Sequence, residues 1–284
     1  MRTLFSMLSL VAIATAAPRP ELLVSTDWLA QHLNDAKLVV VHVGRAKGPY
    51  DEGHVPGARF LNFGSLAVTK DGVSNELPPA SELKKLFEAA GISDDSKVIL
   101  YGEGSVLLAT RAYFTLDYLG HGATASLLDG GLEKWKAESR TLAKDTPTVT
   151  AGNFTLRPRP EVIIGLDAAK DLSTAASSGG AVAMPMLDVR SADEFKAGHI
   201  PGALNLPWMD SQAGKATPAL LPEAELQKLY AKIGVNPDRP VVTYCNSGMQ
   251  ASQSYFTLKL LGYDVRMYDG SFSEWTAKGA TVQK

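Results

Sequence analysis

The chain has a single cysteine, Cys245, and its setting is that of a reactive thiol. The apolar run 240–244 predicts a strand ending at the thiol, and a helical pattern opens just beyond it. A helix N-terminus presents unpaired N–H groups and the positive end of its dipole. Both favour thiolate over thiol, and thiolate is the nucleophile. We therefore expect Cys245 to be ionised at neutral pH. Asn246, Ser247, Gly248, Met249 and Gln250 should form the substrate loop around it. None of residues 246–251 is proline, so each keeps its amide N–H, and none is acidic. Gly248 permits a positive φ. Such a loop can curl its N–H groups into an anion nest. The nest suits a thiolate, a persulfide sulfur, or an incoming sulfonate or carboxylate.

The chemistry this supports is a pair of displacements. The thiolate attacks the outer sulfur of a donor and becomes a persulfide, and an acceptor such as a thiol or cyanide then removes that sulfur. When the leaving group is a good anion such as sulfite, no acid is required, which agrees with a loop holding neither His nor carboxylate. A lone cysteine is otherwise a small buried hydrophobe. The glycine-containing loop and the helix after it argue against that role here. The five histidines are scattered and no cysteine pair exists, so no metal-ligand spacing is present and no cofactor is expected. A cysteine protease is disfavoured because no His is placed to activate the thiol.

With 284 residues, 45% of them apolar and 20% charged, the chain reads as two globular domains of ordinary size. A net charge of −2 lacks the basic surface that nucleic-acid binding requires. The N-terminus begins with a cationic Met1-Arg2-Thr3, followed by an apolar run over 4–13 and small residues at 14–17. That order predicts a secretory signal, cleaved after Ala16 or Ala17, with Pro18 favouring Ala16. The run is too short to span a bilayer, so no membrane association is expected after cleavage. The mature protein should be periplasmic or secreted. In an oxidising compartment a cysteine without a partner is a functional free thiol or an inert buried one.

The chain repeats itself once. Gly53-His54-Val55-Pro56-Gly57-Ala58 returns as Gly198-His199-Ile200-Pro201-Gly202-Ala203, and Tyr113-Phe114-Thr115-Leu116 as Tyr255-Phe256-Thr257-Leu258. Asp129-Gly130-Gly131 with Trp135 returns as Asp269-Gly270-Ser271 with Trp275. Three blocks in the same order indicate two copies of one domain. We place a signal at 1–16, the first copy at 21–145, a linker at 146–160 and the second copy at 161–284. The first copy predicts strands at 37–43, 97–101 and 124–128 and helices at 79–90, 107–119 and 131–137. The second predicts strands at 183–189, 241–244 and 265–268 and helices at 223–233, 249–261 and 272–277. Short apolar strands between amphipathic helices give an α/β fold, each copy a mostly parallel sheet with helices on both faces. Ligands sit beyond the carboxyl ends of such strands, where Cys245 lies.

These residues resemble the rhodanese family of sulfurtransferases, in its tandem two-domain form. Asp188-Val189-Arg190, Glu194-Phe195 and the Gly-His-Ile-Pro-Gly block at 198–202 are similar to its first signature, and 269–275 to its second. The resemblance implies a rhodanese-like fold in each half, an inactive N-terminal domain and a catalytic C-terminal domain with Cys245 as the persulfide-forming residue. In the first copy the thiol's place falls on Gly102 counting from the strand and on Glu103 counting from the helix. The implied substrates are a small sulfane-sulfur donor and a thiol or cyanide acceptor, with a protein acceptor as a further partner. Thiosulfate users of the family carry basic residues after the cysteine, where this chain has Asn246 and Ser247. Mercaptopyruvate users read Cys-Gly-Ser-Gly-Val-Thr, which matches only Ser247 and Gly248, and their acid near residues 60–64 is missing. Thiosulfate is the favoured donor, 3-mercaptopyruvate the second. Arg190 carries over either as an anion-binding residue or as half of a structural ion pair. Ser247 either bonds sulfur or shapes the turn. His54, His199, Trp135 and Trp275 are expected to be structural, while Trp208 could line the pocket. The alternatives are a non-turnover sulfur carrier or sensor, and a fold-related phosphatase. The latter requires an Arg where Ala251 stands.

Overall fold

The computed structural model describes residues 17–179, 182–214 and 217–284. The expected signal at 1–16 lies outside the described residues. The N-terminal half runs β1 (Leu23–Val24), α1 (Thr26–His32), β2 (Leu38–Gly44), α2 (Gly48–Glu52), β3 (Arg59–Asn62), β4 (Val68–Lys70), β5 (Val73–Glu76), α3 (Ala80–Ala89), β6 (Lys97–Gly102), α4 (Val106–Tyr118), β7 (Ala125–Leu128) and α5 (Gly131–Ala137). The C-terminal half runs β8 (Ile163–Ile164), α6 (Leu166–Ser177), β9 (Met186–Asp188), α7 (Ala192–Ala197), β10 (Leu204–Asn205), α8 (Glu223–Lys232), β11 (Val241–Tyr244), α9 (Met249–Leu260), β12 (Val265–Tyr268) and α10 (Ser271–Ala277).

Each half forms a five-stranded parallel sheet, in the orders β1-β7-β6-β2-β3 and β10-β9-β11-β12-β8. The central strands are covered on both faces, which is why β11 reads as an unbroken apolar or β-branched run and β2 as one interrupted by the buried His42. β9 is shorter than the expected 183–189. Pro185 has no N–H to donate, and the strand begins after it.

The two halves meet chiefly through α4 and α9. Both are buried nearly all round, because each packs on its own sheet and on the other helix. Tyr113 packs edge-on against Phe256, and Phe114 against Tyr255. Thr110 Oγ1 lies 3.0 Å from Ser252 Oγ. Tyr255 donates its hydroxyl to the buried Asp117 (2.6 Å). The segment 147–159 has no regular structure, yet it is pinned to the N-terminal half. Phe154 is fully buried between Phe87 and His121, and Gly152 N donates to the Glu88 carbonyl.

β4 and β5 make a separate antiparallel hairpin. Asp71 and Gly72 at its tip both have positive φ, 52° and 81°, as a type I′ turn requires. The hairpin belongs to the N-terminal half but reaches the loop of Cys245.

Candidate active site

The thiol sits where β11 ends and α9 begins. Gly248 precedes α9 with φ 77°, and a Cβ there would come within 2.4 Å of Asp269 Oδ1, so only glycine fits. Cys245 is 1% exposed. Burial pushes the thiol above its ordinary range, while the N–H groups of Ala251, Ser247, Gln250 and Gly248 act against burial by favouring the anion. The amide nest expected from the sequence is therefore present around the sulfur. Burial is the larger of these two influences and runs against the thiolate expected from the sequence.

Four hydrogen bonds fasten the loop from behind, all to the turn that opens α10. Ser271 Oγ accepts from Cys245 N (3.2 Å) and Gly248 N (3.1 Å) and donates to the Tyr268 carbonyl (2.8 Å). Phe272 N and Ser273 N donate to the Cys245 and Asn246 carbonyls. Ser271 is fully buried and holds a φ of 55°, a left-handed conformation that strains a residue with a Cβ. Its counterpart in the first copy is Gly131, at φ 58°. The repeat thus keeps the strained backbone in both halves and places a hydroxyl only where the thiol is.

The N-terminal half supplies the other wall. Asn75, at the end of the hairpin and itself at φ 67°, donates its side-chain amide to Ser247 Oγ (2.9 Å). Arg111 of α4, fully buried, crosses the interface to Asp269 (Nη2 to Oδ2, 3.0 Å) and also donates to the Asn75 carbonyl. That ion pair lies directly beneath Gly248. Glu76 is pushed up to about 7, first by burial and then by Asp269, with Arg111 opposing.

The remaining predicted site residues divide. Ser247 is held by Asn75, and Asn246 donates to Glu194 Oε1 (2.9 Å). Met249 packs against the main core, and the buried Gln250 Oε1 has no partner. Arg190 is not turned to the loop. Its guanidinium bonds Asp188 (Nε to Oδ1, 3.0 Å) and the Gly198 carbonyl (2.8 Å) and stacks 3.9 Å from the centroid of Phe272. Of its two expected roles the geometry supports the ion pair, because Asp188 is two residues away and fully buried. His199 Nδ1 binds the Phe195 carbonyl (2.9 Å) and His54 Nδ1 the Tyr50 carbonyl (2.8 Å), so each fixes its own motif. Trp135 and Trp275 are buried, each donating to a backbone carbonyl, and Trp208 packs half-buried against the core.

The first copy has no nucleophile. Val55 N donates to Tyr101 Oη as Ile200 N does to Tyr244 Oη, which aligns Gly102 with Cys245. Glu103 instead bonds His42 Nε2 (3.1 Å), and burial lowers the imidazole's proton affinity against that carboxylate.

Asn75, Arg111 and Ser271 were not singled out from sequence. Asp71-Gly72 is a hairpin-turn dipeptide, and Arg111 is the one cation within a run of mostly apolar and hydroxyl residues. No local signal announces that either reaches the other domain.

A family model for the rhodanese-like domain matches residues 25–138 and 168–278. A sulfur carrier protein, TtuD, of Thermus thermophilus is 36% identical over 279 residues, covering 90% of this chain and 94% of that protein. A putative thiosulfate sulfurtransferase of Saccharopolyspora erythraea is 34% identical over 282 residues, covering 93% and 95%. The crystal structure of SseA from Escherichia coli, a 3-mercaptopyruvate sulfotransferase, superposes with a TM-score of 0.76 at 28% identity, covering 89% of this chain and 99% of that one. Two matches of one family model, one in each half of the repeat, and a full-length structural likeness agree with the paired parallel sheets: the chain belongs to the rhodanese-like family, as a tandem of two such domains.

Proposed function

We infer that the protein is a sulfurtransferase that works through a persulfide on Cys245. The observation that carries this is a lone cysteine at a strand–helix junction, whose anion the N–H groups of residues 247, 248, 250 and 251 favour, in a family whose named relatives include thiosulfate sulfurtransferases. In the first step Cys245 loses its proton to solvent, and Sγ attacks the outer sulfur of thiosulfate. The new S–S bond forms as the old one breaks, and the electron pair leaves with sulfite. In the second step cyanide or a thiolate attacks the terminal sulfur and takes it, returning the Cys245 thiolate. The N–H groups of residues 247, 248, 250 and 251 hold the negative charge on Sγ first and on the persulfide afterwards. Because the resting thiol is buried, donor entry and proton loss accompany a movement of the covering residues.

Thiosulfate is the favoured donor, since Arg190 is spent on Asp188 and, among the described residues, no second arginine joins it in a carboxylate clamp. 3-Mercaptopyruvate is the second choice, supported by the SseA likeness. A sulfur carrier without rapid turnover is the alternative, supported by the TtuD likeness. We also propose export, on the signal-like pattern of residues 1–16. Incubation with thiosulfate and cyanide should yield thiocyanate in the native chain and none in Cys245→Ser. Activity surviving in that variant defeats the mechanism. A stable persulfide by intact mass with no turnover favours the carrier.

A further inference from the structure

The N-terminal half contains a cleft of about 360 Å³ that the chemistry above does not use. Its lining includes Arg45, Asn62, Phe63, Thr69, Ser74 and Asn75, and no acidic residue. Asn75 is shared, since it walls the cleft and donates to Ser247 in the loop of Cys245. The cleft therefore adjoins the loop.

Arg45 follows β2 directly, where ligands collect at the carboxyl ends of parallel strands. Its side chain is exposed, with the guanidinium carbon 4.8 Å from the centroid of Phe63. Counted back from the Gly-His-x-Pro-Gly block, Arg45 is the counterpart of Arg190. Arg190 is neutralised by Asp188, which the sheet register sets opposite Tyr244. At the matching register in the first copy, opposite Tyr101, stands His42, and it takes Glu103 for itself. Arg45 is left with no carboxylate within ion-pair distance among the described residues. Arg111, the other arginine at this wall, is committed to Asp269 and the Asn75 carbonyl.

We propose that this cleft is a capture site for the oxyanion of the sulfur donor. Arg45 grips its sulfonate or carboxylate beside the Cys245 loop before transfer. A guanidinium held over an aromatic ring presents a fork that matches either anion. The proposal rests on the sulfurtransferase reading and deepens it, and it moves the donor's charge partner from the catalytic domain to the domain that lacks a thiol.

The two half-reactions separate under steady-state kinetics. Arg45→Gln should lower kcat/KM for the donor about tenfold, as loss of an electrostatic capture group does. It should leave kcat/KM for cyanide unchanged, and Arg45→Lys should recover part of the loss. Raising the ionic strength should narrow the gap between native and variant. Running thiosulfate and 3-mercaptopyruvate in parallel shows whether a sulfonate or a carboxylate is gripped. An unchanged donor kcat/KM with both overturns the proposal, as does an equal fall for cyanide, which would mark loop damage. Binding is tested separately in a Cys245→Ser background, where no sulfur moves. Calorimetry with thiosulfate should give binding that Arg45→Gln abolishes, and equal binding overturns the capture site. Failure of the native chain to make thiocyanate, with that binding intact, overturns the sulfurtransferase reading alone.

Discussion

Substituting Ser271 tests whether its hydroxyl positions the thiol loop. The side chain makes three hydrogen bonds, two of them to loop amides. At about 1 kcal/mol net for each, their loss costs roughly 3 kcal/mol. Against this, a residue with a Cβ at φ 55° carries about 1–2 kcal/mol of strain that glycine does not. Ser271→Gly should therefore cost roughly 1–2 kcal/mol, and Ser271→Ala, which keeps the strain and loses the hydroxyl, roughly 3 kcal/mol. With about 2–4 °C of Tm per kcal/mol in a chain of this size, the order native, Gly, Ala is resolvable by calorimetry. Glycine is also the residue that the inactive copy uses at this place, so Ser271→Gly is expected to fold. Its sulfur transfer should nonetheless fall about tenfold or more, because the Cys245 and Gly248 amides lose their anchor and the nest loosens. The informative readout is the rate of Cys245 alkylation against pH. A positioning role shifts that profile, and a purely structural role leaves it in place. Native-like transfer in Ser271→Gly, or an Ala variant as stable as the Gly variant, would refute the reasoning.

Two further outcomes follow from the same geometry. Burial raises the Cys245 thiol and thiolate is the reactive form, so alkylation by iodoacetamide should climb with pH beyond the range of a free cysteine. A rate already at its plateau near neutrality would show that the nest wins over burial. Arg111→Leu strands the buried Asp269 without its partner and should destabilise the chain by about 3–5 kcal/mol. Adding Asp269→Asn to it should recover part of that loss, and additive losses in chemical denaturation would contradict the pairing.

The α/β class, the tandem repeat and most of the central elements were legible in the sequence. Runs such as 241–244 and 265–268 match β11 and β12 residue for residue, because strands buried on both faces are mostly apolar or β-branched, with only the half-buried Arg266 breaking the second run. The two-residue edge strands β1 and β8 escaped notice, being too short to carry a period. The hairpin β4–β5 escaped because its exposed residues obey no core, and its purpose lies in the other domain. Within the site the nest was legible from residue types alone. The burial of the thiol was not, since it depends on how the whole chain packs around the loop. For Arg190 the sequence left two roles open, and the geometry at Asp188 favours the ion pair.

The pairing of α4 with α9 has a two-fold character. Tyr113 on Phe256 is answered by Phe114 on Tyr255, and Thr110 meets its own counterpart Ser252. Exchanging the halves reproduces every one of these contacts, which is the hallmark of an isologous C2 homodimer. Covalent linkage makes this pairing intramolecular, so it does not weaken on dilution as a dimer's would. The half that lacks a thiol is thereby kept beside the loop of Cys245, where Asn75 and Arg111 meet it.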